Sequence, residues 1–118
     1  MFETQHTKNE DGSIHVLLKG ALDAMAAERL EIELETLMET GAPFLVIDME
    51  NLHYLASAGL RVLLSGAKKG KKKGMAIVVC SLQPLVFSVF DAAGFTRIFQ
   101  VFKSREDAHK SRKKGKPA

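Results

Sequence analysis

Two runs of apolar residues, 44–49 and 75–80, constrain the fold of this chain more than any other feature. Runs of this length and composition are typical of strands that are buried on both faces of a sheet. Between them, apolar residues recur at the i, i+3, i+4, i+7 spacing of one helix face: Leu60, Leu63, Leu64 and Ala67. A strand, a helix and a second strand in this order indicate a parallel pair joined by a crossover helix.

The residues before the first run extend the pattern. Segment 13–19 predicts a strand that Gly20 ends, and segment 2–7 predicts a weaker one. Turn-forming residues separate the two segments, so we expect an antiparallel pair. A helix with a strongly acidic outer face follows, and we expect its N-cap at Asp23 and its end at Gly41.

The residues after the second run continue it. Pro84 fits the first turn of a third helix and Gly94 its end, and we expect a last strand at 97–102 and a short helix from Ser104. Strands that alternate with helices predict an α/β domain with a four- or five-stranded, mostly parallel sheet packed against helices.

Length and charge divide the chain into a domain and a tail. The 118 residues are enough for one domain, which we place at 1–109. Five of the 17 basic residues fall in the last nine positions, which leaves the domain with 12 basic residues against all 14 acidic ones. We expect 110–118 to be a disordered basic tail, so the pI of 9.1 is no argument for a nucleic-acid-binding fold.

Several classes of protein are excluded by what the sequence lacks. Cys80 is the one cysteine and cannot form an internal disulfide, the first residues do not form a secretory signal, and no apolar run reaches the roughly 18 residues of a membrane span. We therefore expect a cytoplasmic protein that binds no membrane, with Cys80 as a buried thiol. The four histidines lack metal-ligand spacing, and neither paired carboxylates nor a catalytic triad is present, which predicts no metal, no cofactor and no enzymatic activity.

The junction between the first buried strand and the next helix is rich in small residues, and Ser57 lies in it, at or beside the helix N-terminus. Unpaired amide groups and the helix dipole favour an anion at such a position. Two interpretations remain open at this point, because Ser57 can be a helix cap or the acceptor of a phosphate.

Five segments, in this order and spacing, resemble a known family: 20–23, 45–52, 55–60, 75–80 and 89–95. The chain is similar to STAS domains, and within them to the stand-alone anti-sigma factor antagonists of bacteria, over residues 12–104. The resemblance implies partner switching. The unmodified antagonist binds an anti-sigma factor that is also a serine kinase, the kinase phosphorylates the antagonist, and a serine phosphatase removes the phosphate.

The family's phosphoacceptor falls on Ser57, and its glycine and leucine fall on Gly59 and Leu60. Two residues depart from the family pattern: Ala56 replaces the usual aspartate before the acceptor, and Ala58 replaces a frequent second serine. The residues expected to bind the partner are Leu22, Asp23, Ala56, Ala58, Gly59, Leu60 and Phe87.

Three further alternatives remain. Phe87 stands where the resembled family tends to have a polar residue, so it either packs under Phe95 or Phe99 in the core or is an exposed anchor for a partner. The chain can also be a STAS scaffold that is not phosphorylated. The lysines within 68–73, together with the tail, can bind nucleic acid or another anionic surface, although a solvated helix end explains them more simply.

Overall fold

The computed structural model describes residues 1–114, with side chains described up to Ser111. In this range the chain forms five strands and four α-helices: β1 (Phe2–Lys8), β2 (Ile14–Leu22), α1 (Ala24–Met38), β3 (Phe44–Leu55), α2 (Ser57–Lys72), β4 (Ala76–Cys80), α3 (Pro84–Ala92), β5 (Val101–Phe102) and α4 (Arg105–Lys114).

One sheet contains all five strands in the order β1-β2-β3-β4-β5. The first pair is antiparallel, and the other three pairs are parallel. The predicted α/β fold with a mostly parallel sheet is therefore confirmed. Each parallel pair is joined by a helix, because two parallel strands need a crossover connection between them.

Strand β2 does not end at Gly20, as the sequence predicted, but continues to Leu22. Gly20 has a φ of +101°, and a Cβ atom there would lie 2.1 Å from the carbonyl oxygen of Met1. The amide of Ala21 donates a hydrogen bond to the same oxygen, at 2.9 Å. Glycine is therefore required at position 20 because the main chain of Met1 approaches it closely. Gly20 lies inside β2 and does not end it.

The sheet is covered on both faces. Helices α1, α2 and α3 enclose the main core, to which β3 contributes Leu45 and Ile47, and α4 covers a smaller cluster on the other face, to which β3 contributes Phe44 and Val46. Alternate residues of β3 thus enter both cores, which explains its continuous apolar run and confirms that prediction. Cys80 is fully buried, and burial raises the pKa of its thiol to about 11.

The last strand is shorter than predicted. Segment Phe95–Arg97 is a 3₁₀ turn, and β5 contains only Val101 and Phe102. The rings of Phe95 and Phe99 pack on Phe90, with centroids 5.3 Å and 5.6 Å from it. This aromatic cluster turns the chain beneath α3 where an extended strand was predicted.

Helix α4 continues through the first five residues of the segment 110–118, which was predicted to be disordered. Ser104 caps its N-terminus, because the Ser104 hydroxyl accepts a hydrogen bond from the Asp107 amide at 3.1 Å. The last four residues, 115–118, lie outside the residues that the structure describes.

Candidate functional site

The carboxyl ends of β2 and β3 lie side by side. Leu22 is paired with Leu55, and the amide of Ala56 donates a hydrogen bond of 3.0 Å to the carbonyl of Leu22. Helices α1 and α2 begin immediately after these strands, so two helix N-termini meet at one edge of the sheet. This is the edge at which open α/β sheets place their binding sites.

Ser57 is the first residue of α2, and the N-cap is Ala56, which forms no side-chain capping bond. The interpretation of Ser57 as a cap is therefore wrong. Its side chain is exposed, and within the described part of the chain its hydroxyl has no hydrogen-bond partner. The hydroxyl lies beside the amide groups of the first helical turn.

Gly59 is the third residue of α2, within this turn, and is buried. A Cβ atom on Gly59 would lie 2.7 Å from Cγ of Leu22 and 3.1 Å from Cδ1 of Leu55. The glycine lets α2 sit closely on the ends of β2 and β3. Leu22 and Gly59, both expected to bind the partner, are below the surface and shape it from within.

Asp23 is exposed and is the N-cap of α1, because its Oδ1 accepts a hydrogen bond from the Ala26 amide at 2.9 Å. Ala56, Ala58 and Leu60 lie on α2 or just before it, and Phe87 lies on α3. The Ser57 surface consists of the residues that solvent reaches here: Asp23, Ala56, Ser57, Ala58 and Leu60. The carboxylate of Asp23 and the hydroxyl of Ser57 are its two polar side chains.

A groove between α1 and α2 adjoins this surface at Ala58 and has a volume of about 810 Å³. Glu28 and Glu31 of α1 lie on one side, and Arg61 and Lys68 of α2 lie on the other. The charges on the two sides are opposite, so the groove favours neither an acidic nor a basic ligand.

The lysine-rich end of α2 lies at the other end of this 16-residue helix, roughly 22 Å from Ser57 at 1.5 Å per residue. Lys69 is engaged within the domain, since its Nζ donates a hydrogen bond of 2.9 Å to Glu35 of α1. This contact raises the pKa of Lys69. The lysine run is therefore not part of the Ser57 surface.

Phe87 is 40% exposed, while Phe90, three residues later, is fully buried in the aromatic cluster. The interpretation that Phe87 packs under Phe95 or Phe99 is therefore wrong. Phe87 instead lines a groove on α3 with Leu82 and Ile98, which is not part of the Ser57 surface.

A buried hydrogen bond between His15 and Asp48 was not predicted. Nε2–H of His15 donates a hydrogen bond of 2.8 Å to Asp48, and both residues are buried. Burial alone raises the pKa of Asp48, but the hydrogen bonds from His15 and from the Glu50 amide outweigh burial, and the pKa is lowered. A carboxylate within the apolar run of β3 was the available signal, because a buried charge requires a partner.

Among residues 1–114, no group of three or more histidine, cysteine or acidic side chains could hold a metal ion. No helix in this range is long and apolar enough to cross a membrane.

Comparison with known proteins gives consistent matches. The model of the STAS domain family matches residues 4–108. The Bordetella bronchiseptica protein BtrV, which carries the name of an anti-sigma factor antagonist, is 41% identical over 98 residues, covering 83% of this chain and 84% of BtrV.

Solved structures show the same fold. The anti-sigma factor antagonist SpoIIAA in its unphosphorylated form aligns with a TM-score of 0.81 at 20% identity, covering 98% of this chain and all of that one. SpoIIAA of Bacillus in its phosphorylated form aligns with a TM-score of 0.73 at 19% identity, covering 93% and 99%. The family model, the 41% identical relative and the fold agree, and the chain belongs to the STAS domain family and, within it, to the anti-sigma factor antagonists.

Proposed function

We propose that this chain binds an anti-sigma factor through the Ser57 surface, and that a serine kinase activity of that partner phosphorylates Ser57 and ends the interaction. A serine phosphatase restores the binding form. The observation that carries the proposal is the exposed Ser57 hydroxyl, which has no partner among the described residues and lies at the first position of α2. Relatives named as antagonists of sigma-factor regulators support the choice of partner.

Phosphorylation at this position changes the charge and leaves the fold in place. A phosphate adds about −1.5 to −2 charges at pH 7. The amide groups and dipole of α2 favour an anion at the first turn, so the phosphorylated domain remains stable. A partner packed against Ala56, Ala58 and Leu60 would have to bury that charge, which costs far more than the apolar contacts contribute.

Ala56 bears on how the kinase recognises its substrate. It carries no charge, so it does not repel a phosphate on Ser57, but it also offers no carboxylate to a kinase active site. Asp23 is the carboxylate that the fold brings to the same surface. We propose that the kinase contacts the carboxylate of Asp23 in place of the carboxylate that Ala56 does not offer.

The experiment is a pull-down from the native cell with the full chain as bait. Wild type and Ser57→Ala should retain the same anti-sigma factor, and Ser57→Asp should retain at least tenfold less. Mass spectrometry should find one phosphate on wild type and none on Ser57→Ala. Ser88→Asp is the matched control, because Ser88 is also an exposed helical serine but lies in the middle of α3, outside the Ser57 surface.

Two outcomes would replace the proposal. Capture of the same partner by wild type and Ser57→Asp alike, without phosphate on Ser57, would identify the chain as a scaffold. Salt-sensitive recovery of nucleic acid that is lost when the lysines within 68–73 are neutralised would identify an anion-binding protein. The proposal places the chain in the cytoplasm, where bacterial sigma factors act.

A further inference from the structure

A groove at the far edge of the sheet has no role in the Ser57 switch. Its volume is about 870 Å³, and one side is formed by Leu82 and Phe87. The other side is a continuous stretch of eight residues, 96–103, that contains β5. Ile98 is half-exposed at 52%, although it is a large apolar residue. We call this feature the Phe87 groove.

The groove runs along β5, which is an edge strand of the sheet. The amides of Val79 and Ser81 donate hydrogen bonds to the carbonyls of Gln100 and Phe102, at 3.1 Å and 3.0 Å. Successive residues of a strand direct their main-chain groups to opposite sides, so those of Val101 face away from β4. No strand pairs with that side of β5 among the residues described. An open edge of this kind can accept an added strand.

The charge of the Phe87 groove has one sign. Its lining contains Arg97 and Lys103 and no acidic residue. Within residues 1–111 neither cation lies in an ion pair, and the nearby carboxylate of Asp91 already accepts a hydrogen bond from Thr96 at 2.8 Å. A ligand that fits both features carries acidic groups beside apolar side chains.

We propose that the Phe87 groove binds an extended segment of a partner protein in which acidic and apolar residues alternate, and that this segment adds a strand to the free side of β5. Alternation places apolar side chains against Phe87 and Ile98 and main-chain groups opposite Val101. Helix α1 of a second copy, with exposed Met25 and Ile32 on an acidic face, is a poorer fit because a helix cannot pair with a strand edge. The proposal does not depend on phosphorylation of Ser57.

The experiment selects a displayed library of random peptides against the full chain. Enriched peptides should contain acidic and apolar residues in alternation. They should bind at least tenfold more weakly to Phe87→Ala and to the double variant Arg97→Glu, Lys103→Glu. Replacing the acidic residues of a selected peptide with lysine should restore binding to the double variant. Leu85→Ala is the matched control, because Leu85 is exposed on the same helix but does not line the groove.

Each other result contradicts the proposal. No enrichment, enrichment of basic peptides, or binding that Phe87→Ala leaves unchanged would overturn it. Binding that survives proline in the middle of a selected peptide would overturn the added strand, because proline removes the paired amide. Sedimentation that shows dimers of wild type but not of Phe87→Ala would identify a second copy as the occupant. Circular dichroism of every variant verifies that the fold is intact.

Discussion

Gly59 determines how closely α2 can approach the sheet beneath Ser57. Replacing it with alanine places a Cβ atom 2.7 Å from Cγ and 2.9 Å from Cδ2 of Leu22, which is fully buried. We expect Gly59→Ala to lower the free energy of unfolding by about 1 to 3 kcal/mol, as overpacking does in other cores. Chemical denaturation measures the change.

Gly66 is the matched control on the same helix. A Cβ atom there would lie 3.1 Å from Cδ1 of Leu34, at the end of that side chain. Apart from the backbone of α2 and the two chain neighbours, no other atom would lie within 4 Å of it. Alanine also favours the helix by about 1 kcal/mol over glycine, so Gly66→Ala should be nearly neutral or stabilising. Equal losses for the two variants would contradict the role given to Gly59.

The two phenylalanines of α3 differ in burial and should differ in energy. Phe90 is 0% exposed and contacts two other rings, whereas Phe87 is 40% exposed. We expect Phe90→Ala to cost about 3 to 5 kcal/mol and Phe87→Ala less than half as much. Thermal and denaturant unfolding of both variants measures the loss of stability. Similar losses for the two variants would mean that Phe87 is part of the core.

At the scale of the elements, α1 and α2 begin in different ways. Asp23 caps α1 with a hydrogen bond to the Ala26 amide, whereas Ser57 follows an N-cap, Ala56, that forms none. Asp23→Ala should therefore cost about 0.5 to 2 kcal/mol of stability. Ser57→Ala should change stability by less than about 0.5 kcal/mol. A larger loss for Ser57→Ala in denaturant titrations would mean that its hydroxyl supports the helix.

Element type was predictable from periodicity, and element ends were less so. The stripe from Leu60 to Ala67 and the run at 44–49 identified α2 and β3, because burial on one face or two leaves a direct signature in sequence. The prediction that Gly20 ends β2 was wrong, because glycine is needed there to let the Met1 main chain come close. That contact joins residues distant in sequence, so the local pattern does not show it. The short β5 was misread for the same reason, since packing on Phe90 overrides the local strand pattern.

The candidate site was predictable to a similar extent. The junction at Ser57 followed from strand and helix order together with the family resemblance. That Leu22 and Gly59 lie beneath the surface depends on how α2 packs on β2, which only the assembled sheet determines. The exposure of Phe87 likewise depends on which of four neighbouring phenylalanines fill the core.

For the molecule as a whole, the pair of His15 and Asp48 links stability to pH. Because the pKa of Asp48 is lowered in the folded protein, its contribution is fully present above the unfolded value of about 3.9 and is lost as the pH falls through the native value. Wild type should be more stable than Asp48→Asn at pH 7, and the difference should shrink below about pH 4. Thermal unfolding from pH 3 to pH 7 measures it.

Asp107→Asn provides the control for that titration, because Asp107 is an exposed carboxylate of α4 outside the pair. Its curve should run parallel to that of wild type. A constant difference between wild type and Asp48→Asn down to pH 3 would mean that titration of the Asp48 carboxyl does not cause the acid sensitivity.

Coverage of the second sheet face by α4 alone has a consequence for synthesis. The cluster that contains Phe44, Val46 and Val78 is complete only when Ala108 packs on it. A nascent chain that has already formed β3 and β4 on the ribosome still exposes this apolar face until α4 emerges from the exit tunnel. During that interval chaperones can bind the exposed face, and nascent chains on the same mRNA can associate through it.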